Sequence, residues 1–199
     1  MLNKVLIIML AYVIGSIPFT FMMAKIKGKV DLSRVGSGNL GGTNAIRVLG
    51  WVPGMIAGLL DIAKGVIALW LTDLLIDGPE QNKLLAALAV TVGHNWSLFF
   101  WGKKGGKGIS TTMGSFLYLN PLVTVISIAV ALEIVFLSRL VSLGSLVLVT
   151  LVPLGLIVSG EDRFTIVVSL VLSVTAFYRH RQNIRRLRAG EERRIGEQV

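Results

Sequence analysis

Residues 110–138 read STTMGSFLYLNPLVTVISIAVALEIVFLS, and this stretch decides how many times the chain crosses a membrane. It contains a single charged residue, Glu133, so it is apolar enough to lie in lipid. A membrane-spanning helix needs about 20 apolar residues. The stretch therefore forms either one long span or two pieces broken at Asn120-Pro121. Proline disfavours helix in the residue before it and lacks a backbone donor, which favours the break.

The rest of the chain is similarly apolar. Of its 199 residues, 53% are hydrophobic and only 16% are charged, whereas about a quarter of an average soluble domain is charged. Uncharged runs cover residues 5–24, 48–60, 84–102, 140–160 and 164–178. This composition excludes a soluble globular enzyme, a disordered protein and a fibrous protein. We therefore predict an all-α integral membrane protein.

The basic residues decide the predicted orientation, because cytoplasmic loops carry an excess of lysine and arginine. Sixteen of the 20 basic residues lie in four regions, at 25–47, 103–107, 139 and 179–194. All 16 share one face if the chain breaks at Asn120-Pro121, whereas an unbroken span would put the tail on the opposite face. We predict about seven transmembrane helices, at residues 5–24, 51–75, 84–101, 110–119, 121–138, 140–158 and 164–178.

In this topology the N-terminus lies outside and the C-terminus is cytoplasmic. The helices are predicted to form a single domain over residues 1–199, with a basic cytoplasmic tail at about 179–199. The piece at 110–119 is only about 15 Å long at 1.5 Å per residue. We therefore expect it to be a short span or a half-helix shielded by its neighbours.

The chain has no cysteine and two histidines. The lack of cysteine excludes a disulfide scaffold, a thiolate metal site and a cysteine nucleophile. Two histidines are too few for a typical histidine metal site. We expect no metal and no cofactor.

The first basic loop is rich in glycine. Residues 37–44 read SGNLGGTN, and Arg47 follows. A G-x-G-x-x-G pattern starts at Gly36 with Asp61 farther on, but no strand precedes it and Asp61 lies inside a span, so we reject a dinucleotide site. Backbone N–H groups exposed by glycine, with hydroxyl and amide side chains beside them, form anion-binding concavities. A phosphate-binding loop is the interpretation that remains.

The second basic loop reads KKGGKGIST at residues 103–111. It does not match a Walker A motif, because its glycine spacing and the residue after the lysine differ. It is nevertheless suited to a phosphate: Lys107 supplies charge, and the helix predicted after it supplies N–H groups and a partial positive dipole. A structureless glycine-rich linker is the alternative for both loops.

Two further clusters have both a functional and a structural interpretation. Arg139, Ser142 and Ser145 place a cation and two hydroxyls at the cytoplasmic end of a helix, but a snorkelling arginine beside helix-packing serines fits equally well. Asp61 and Lys64, three residues apart inside a span, form an intramembrane ionisable pair of the kind that is often functional. Mutual neutralisation as a structural pair is the alternative.

The tail is the kind of basic cluster that binds anionic lipid headgroups next to a membrane. That role accounts for some of its arginines. It does not account for His180 and Asn183, which lie one helical turn apart.

Three cytoplasmic blocks, taken in order, resemble those of a known family. They are SGNLGGTN at 37–44, Gly93-His94 followed by GGKG at 105–108, and RLVSLGS at 139–145 followed by RHRQNIRRLRAG at 179–190. Over its whole length the chain resembles the bacterial membrane acyl-phosphate:glycerol-3-phosphate acyltransferases, the PlsY family. It departs from that family at Ser97, where proline is usual, and in a segment between Ser97 and Gly105 that is one residue longer.

The resemblance implies transfer of an acyl chain from acyl phosphate to the 1-hydroxyl of sn-glycerol 3-phosphate. The products are lysophosphatidic acid and inorganic phosphate, and the reaction is the first acylation step of phospholipid synthesis. It also implies a multi-pass protein of the bacterial inner membrane with its active site on the cytoplasmic face. The expected partners are the two substrates, membrane lipid and a soluble enzyme that makes the acyl phosphate, with no nucleic acid among them.

The resemblance further implies the site residues. Those expected to be catalytic are Ser37, Asn39, Lys107, His180 and Asn183. Those expected to bind substrate are Gly38, Gly41, Gly42, Thr43, Asn44, Arg47, His94, Lys104, Gly105, Gly106, Gly108, Arg139, Ser142 and Ser145.

The expected mechanism is direct attack by the glycerol hydroxyl, without an acyl-enzyme. No H-x-x-x-x-D motif is present, and the cytoplasmic loops hold only Asp31 as a carboxylate, so a carboxylate-oriented histidine is hard to build. The donor phosphate is expected at Ser37, Asn39, Thr43 and the glycine N–H groups. The other phosphate and the developing oxyanion are expected at Lys107, Arg47, Ser142, His180 and Asn183. A donor phosphate oxygen takes the proton, with His180 as the competing base.

Two other classes of membrane protein are less consistent with the chain. A phosphate transporter would place its site near the midplane between inverted repeats, yet the chain shows no repeat and its polar blocks share one face. A CDP-alcohol phosphotransferase needs a cluster of metal-binding aspartates. Asp73 and Asp77 lie on the predicted outer side without the rest of such a cluster.

Overall fold

The computed structural model describes residues 2–28 and 30–196. In that part of the chain every regular element is a helix and no β-strand is present, which confirms the all-α prediction. The α-helices are α1 (Leu2–Ser16), α2 (Phe19–Gly28), α3 (Gly42–Leu49), α4 (Trp51–Leu75), α5 (Gln81–Asn95), α6 (Ile109–Leu119), α7 (Pro121–Ser138), α8 (Val141–Val158), α9 (Arg163–Arg179) and α10 (Arg181–Ala189). A short 3₁₀ helix, Leu98–Phe100, lies between α5 and α6.

Within the described ranges, four helical segments are long and apolar enough to cross a membrane. They are Asn3–Gly28, Trp51–Leu75, Pro121–Ser138 and Val141–Val158. The count of about seven spans, the outside N-terminus and the single domain over 1–199 stay predictions.

The break at Asn120-Pro121 is present. Helix α6 ends at Leu119 and α7 begins at Pro121, whose missing N–H is harmless at the first position of a helix. The Asn120 side chain caps α7 by accepting a hydrogen bond of 3.2 Å from the N–H of Val123. The break therefore has both a cause and a stabilising cap.

A second break divides the helix predicted over 5–24. Helix α1 ends at Ser16 and α2 begins at Phe19, so the prediction of one continuous helix was wrong at this point. The cause is Pro18, which lacks a donor and disfavours helix at Ile17. The break leaves carbonyl groups at the end of α1 for other partners.

Three other helices differ from the sequence-based prediction. Helix α5 ends at Asn95, short of the predicted 101, and the chain then turns through the 3₁₀ helix. Helix α3 forms in a region that was expected to belong to a glycine loop, and helix α10 forms within the predicted basic tail. Helix α3 packs closely on α4, since a side-chain carbon added at Gly54 would lie 2.4 Å from Ile46. Tertiary packing of this kind stabilises short helices that intrinsic propensity alone would not.

Residues 2–118 form the first compact unit. Its helices meet backbone to backbone at glycines. A side-chain carbon at Gly15 of α1 would lie 2.0 Å from the carbonyl oxygen of Val90 on α5, and one at Gly114 of α6 would lie 2.0 Å from that of Ile62 on α4. Helix α6 is therefore packed against α4, as expected for a short piece that needs shielding.

Residues 119–196 form the second compact unit, which contains α7 to α10. Val149 and Leu156 of α8 and Leu172 of α9 are almost fully buried and supply its core. The hydroxyl of Ser173 on α9 donates to the carbonyl of Val149 at 2.5 Å, which joins α8 and α9. The chain then continues through His180 into α10.

Candidate active site

The first glycine loop connects α2 to α3, and Asn44 of α3 holds it together. The Asn44 side chain is 2% exposed. Its Oδ1 accepts a hydrogen bond of 2.9 Å from the N–H of Ser37. Its Nδ2 donates to the carbonyls of Val35 and Asn39 at 3.1 and 3.0 Å. Asn44, expected to bind substrate, thus bonds to the backbone of its own loop and sets the loop's shape.

Glycine is required at two positions of this loop. Gly36 and Gly38 have φ of +64° and +67°, in the left-handed region that favours glycine. A side-chain carbon at Gly36 would also lie 2.3 Å from Asn44 Oδ1. Between the two glycines, Ser37 is exposed, and Thr43 at the start of α3 is half-buried. The loop therefore presents hydroxyl groups beside an open backbone.

The second glycine loop, residues 102–108, lies directly on the end of α5. The N–H of Gly106 donates to the carbonyl of His94 at 2.9 Å. A side-chain carbon at Gly105 would lie 2.3 Å from the carbonyl oxygen of Asn95, and one at Gly106 would lie 1.9 Å from His94 Nε2. No side chain fits at either position, which explains the glycine pair.

The two loops touch each other. The carbonyl of Gly105 accepts hydrogen bonds from the N–H of Leu40 and from Asn39 Nδ2, each at 3.4 Å. The Lys104 ammonium donates to the hydroxyl of Ser33 at 2.8 Å. The structure thus joins Asn39 to Gly105, 66 residues later, and Ser33 to Lys104, 71 residues later.

Cations also lie at these loops. Lys107 is half-buried in the second loop. The next residue, Gly108, has φ of +83°, and α6 begins directly after it. Arg47 is half-buried in the last turn of α3. Two joined glycine loops with hydroxyl groups, an amide and cations form a surface suited to an anion such as phosphate.

Asp31 anchors the start of the first loop and is exposed to solvent on one side. Its Oδ1 accepts hydrogen bonds from the N–H and the hydroxyl of Ser33, at 3.0 and 2.6 Å. The hydroxyl bond from Ser33 is the main reason that the pKa of Asp31 lies below its usual value. The same Ser33 hydroxyl binds Lys104, so Asp31 orients the residue that Lys104 contacts.

The second unit gathers its polar residues around Glu192, which sequence analysis missed. Glu192 Oε1 accepts hydrogen bonds from the Ser142 hydroxyl at 3.0 Å and from Asn183 Nδ2 at 2.6 Å. Its Oε2 accepts one of 2.8 Å from Arg186 Nε. The sequence feature that could have revealed this ion pair is the presence of an acidic residue within a strongly basic tail.

The environment of Glu192 keeps it ionised. Burial raises the pKa of its carboxyl, but the hydrogen bonds from Asn183, Arg186 and Ser142 together outweigh burial, and the pKa lies below its usual value. Ser142 and Asn183 were both expected to contact substrate. In the structure they donate to the carboxylate of Glu192, which is an anion of the protein itself.

His180 lies at the junction of α9 and α10 and is 3% exposed. Its Nδ1 lies 2.8 Å from the carbonyl oxygen of Ala176. A carbonyl can only accept, so Nδ1 carries the hydrogen, and Nε2 of the neutral ring is the acceptor. This tautomer suits a group that accepts a proton or a hydrogen bond from a hydroxyl.

Two expected site residues in the second unit stand apart from the Glu192 cluster. Arg139 is exposed at the end of α7 with φ of +61°. The Ser145 hydroxyl donates to the carbonyl of Val141 at 2.8 Å, one turn back in α8. Among the described residues, neither side chain bonds to Glu192.

The described residues contain no group of three or more histidine, cysteine, aspartate or glutamate side chains placed to hold a metal ion.

Comparison with known proteins relates the chain to one enzyme family. The family model described as glycerol-3-phosphate acyltransferase matches residues 5–190. A glycerol-3-phosphate acyltransferase of Alkaliphilus metalliredigens is 40% identical, over 97% of this chain and 96% of its own length. One from Thermus thermophilus is 36% identical, over 96% of this chain and 95% of its own.

Two solved structures share the fold. A crystal structure of PlsY (YgiH), an integral membrane glycerol 3-phosphate acyltransferase, in its glycerol 3-phosphate form has a TM-score of 0.90 and 38% identity, and covers 97% of this chain and 96% of its own. The lysophosphatidic acid form of PlsY has a TM-score of 0.87 and 37% identity, and covers 97% of this chain and 95% of its own.

Proposed function

Because this chain belongs to the glycerol-3-phosphate acyltransferase family and is thus an acyltransferase of an integral membrane type, we propose that its acyl donor is acyl phosphate. It transfers the acyl chain to the 1-hydroxyl of sn-glycerol 3-phosphate and releases lysophosphatidic acid and inorganic phosphate. The observation that carries this assignment is the joining of two glycine loops through the carbonyl of Gly105. Joined in this way, they offer hydroxyls, an amide and a lysine to a phosphate.

The reaction is a direct acyl transfer. The hydroxyl oxygen attacks the acyl carbonyl carbon, a new ester C–O bond forms, and the C–O bond to the phosphate breaks. Phosphate leaves with the electron pair of that bond and ends with the proton lost by the hydroxyl. Because the leaving group is itself an anion with several oxygens, no acyl-enzyme is required.

The first unit is assigned to phosphate binding and charge stabilisation. Ser37, Asn39 and the loop N–H groups hold the donor phosphate, and Lys107 neutralises charge that develops during attack. Such electrostatic stabilisation is often the largest catalytic contribution, and loss of one donor costs about 10²–10³ in rate. The remaining residues assigned to substrate in this unit are Gly38, Gly41, Gly42, Thr43, Arg47, His94, Lys104, Gly105, Gly106 and Gly108, while Asn44 is assigned to holding the loop in shape.

In the second unit, His180 is assigned to the attacking hydroxyl. With its hydrogen on Nδ1, His180 is proposed as a base for the attacking hydroxyl, in competition with the donor phosphate. Asn183, three residues after His180, is proposed to contact a substrate oxygen. Ser142, Ser145 and Arg139 complete the proposed set.

We also propose the cellular setting. The glycine loops and the basic tail face the cytoplasm of a bacterial cell, at its inner membrane. The reaction there begins phospholipid synthesis, and a soluble enzyme supplies the acyl phosphate.

The donor is tested with purified protein in detergent. We expect glycerol 3-phosphate with acyl phosphate to give lysophosphatidic acid and one equivalent of inorganic phosphate. Glycerol 3-phosphate with acyl-CoA should give no product. Comparable product from acyl-CoA would refute the donor assignment, and no product from either donor would refute the proposed reaction.

The role of His180 is tested with His180→Ala. General-base catalysis contributes about 10²–10⁴-fold, so we expect turnover with both substrates saturating to fall by that factor. Thr175→Ala is the control, because this half-buried side chain of α9 donates to the carbonyl of Val171, one turn back in the same helix. Near-normal saturated turnover in His180→Ala would exclude the histidine as base and leave the donor phosphate as proton acceptor.

A further inference from the structure

One buried ion pair has no role in the proposed reaction. Lys64 Nζ lies 2.8 Å from Asp61 Oδ1, three residues earlier in α4. The two residues are 2% and 1% exposed. Replacing such a buried pair by apolar residues is often neutral or stabilising. Stability alone therefore does not explain two charges inside a helix that is apolar enough to span a membrane.

Lys64 is the centre of a small network. Its ammonium donates to the carbonyls of Gly15 and Ile17, at 3.0 and 2.9 Å. Both carbonyls lie where Pro18 interrupts the first apolar helix. The ammonium therefore ties the end of α1 to the middle of α4, with Asp61 compensating its charge.

The fourth partner of Lys64 is His94, near the end of α5. His94 Nδ1 lies 3.1 Å from Lys64 Nζ. The same Nδ1 lies 3.6 Å from Asp61 Oδ1, so the imidazole contacts both members of the ion pair. A side-chain carbon at Gly106 would lie 1.9 Å from His94 Nε2, so the ring faces the second glycine loop.

The contacts continue from His94 to the first loop. The carbonyl of His94 accepts a hydrogen bond from the N–H of Gly106, and the carbonyl of the adjacent Gly105 accepts from Asn39 Nδ2. A small cavity of about 10 Å³ lies along this path, lined by Lys64, His94, Gly105 and Gly106 among others. The position of the loop therefore depends on the groups that touch it around this space.

From these contacts we propose that Lys64, held by Asp61, is a positioning residue that fixes the second glycine loop through His94. The ammonium sets the orientation of the imidazole, the imidazole supports Gly106, and Gly105 then meets Asn39. That the fixed loop serves phosphate-bearing substrates rests on the proposed function. The positioning itself is a property of the fold and can be measured separately.

The test removes both charges together, so that neither is left buried alone. Asp61→Asn/Lys64→Met should unfold within a few degrees of the wild-type temperature. Amide hydrogens of residues 103–108 should exchange with deuterium at least about tenfold faster, since their opening free energy falls. The KM for at least one phosphate-bearing substrate should rise about 10- to 100-fold, with a smaller change in kcat.

The matched control removes a different ion pair of the first unit. Asp73 and Lys83 lie 3.1 Å apart, and Asp73→Asn/Lys83→Met makes the same chemical changes. Exchange of residues 103–108 and both KM values should stay at wild-type levels in this variant. Equal effects in the two double variants would overturn the proposal.

A second variant covers the case in which the first double variant does not fold. His94→Gln keeps a polar side chain but breaks the link to Lys64, and it should also speed exchange of residues 103–108. Wild-type exchange at those residues, in His94→Gln or in a folded Asp61→Asn/Lys64→Met, would overturn the proposal. If the wild type makes no lysophosphatidic acid, the proposed function fails, while the exchange measurement still decides the positioning role.

Discussion

At the scale of single residues, Glu192 changes the interpretation of two expected substrate ligands. Sequence patterns placed Ser142 and Asn183 at a substrate oxygen. In the structure both donate to Glu192, which also binds Arg186. A carboxylate and a phosphate attract the same donors. The residue types therefore predicted an anion site correctly, but they could not reveal that the anion bound there is the carboxylate of Glu192.

The ionised form of Glu192 should stabilise the fold. Glu192→Gln loses the charge-assisted bond to Arg186, worth about 2 kcal/mol of unfolding free energy. Because the pKa in the folded state lies below the usual 4.5, this stabilisation is present above pH 4.5 and is lost as the pH falls through the folded-state pKa. Thermal unfolding in detergent should show the difference at pH 7 and a smaller one near pH 3.5.

Glu191→Gln provides the control for this measurement, because Glu191 is the exposed neighbour in the same turn. Its unfolding temperature should match the wild type at both pH values. A Glu192→Gln effect that is independent of pH would contradict an ionic role for Glu192.

At the scale of elements, the segment between α5 and α6 is closed by hydrogen bonds of Ser97. The resemblance to the family leads us to expect proline at this position. The N–H of Ser97 donates to the carbonyl of Lys104 at 3.2 Å, and its hydroxyl donates to the carbonyl of Ser16 at 2.6 Å. A proline could not make the first bond. This bond joins the two ends of the segment that the resemblance predicts to be one residue longer than usual.

The packing of that loop predicts the effect of adding one methyl group. Gly106→Ala places a carbon 1.9 Å from His94 Nε2, so the loop or the imidazole must move. A displacement of about 1 Å costs on the order of 10²-fold in rate, and we expect such a loss in kcat/KM.

Gly58→Ala is the matched control, since a side-chain carbon at Gly58 meets nothing within 4 Å. Its kcat/KM should be within about twofold of the wild type, as expected for a substitution without a clash. Wild-type kcat/KM in Gly106→Ala would show that the loop tolerates the displacement, against the geometry described above.

At the scale of the whole molecule, the predicted orientation in the membrane depends on the break at Asn120-Pro121. If residues 110–119 cross the membrane, all three basic loops and the basic tail lie on one face. Without a crossing at 110–119, residues 159–163 would lie inside and the tail outside. The two topologies therefore make opposite predictions for two exposed positions, Ser159 and Glu191.

The lack of cysteine makes this prediction directly testable. In intact cells, a membrane-impermeant thiol reagent should label Ser159→Cys and Asp77→Cys but not Glu191→Cys. Opening the membrane should make all three reactive, which controls for accessibility. Labelling of Glu191→Cys in intact cells would contradict the cytoplasmic tail.

Features that depend on local chemistry could be predicted from the amino-acid sequence. Apolar runs predicted helices because the backbone must satisfy its own hydrogen bonds in lipid, and the helix over 51–75 has the predicted bounds. Pro121 predicted a break for steric reasons. Pro18 breaks the helix within 5–24 for the same reason. This break was not predicted from the sequence, because the apolar run has the length of one span. The three polar blocks indicated the family, which the comparisons confirmed.

The partners of the polar side chains, in contrast, depend on the three-dimensional fold. Asn44 bonds to its own loop, Glu192 gathers Ser142 and Asn183, and Lys64 links the end of α1 to His94 and the second glycine loop. These contacts join residues that are distant along the chain, and a lysine or a glutamate has the same local pattern whichever partner it meets. The physical reason is that a hydrogen bond depends on positions a few ångströms apart, and packing of the helices sets those positions.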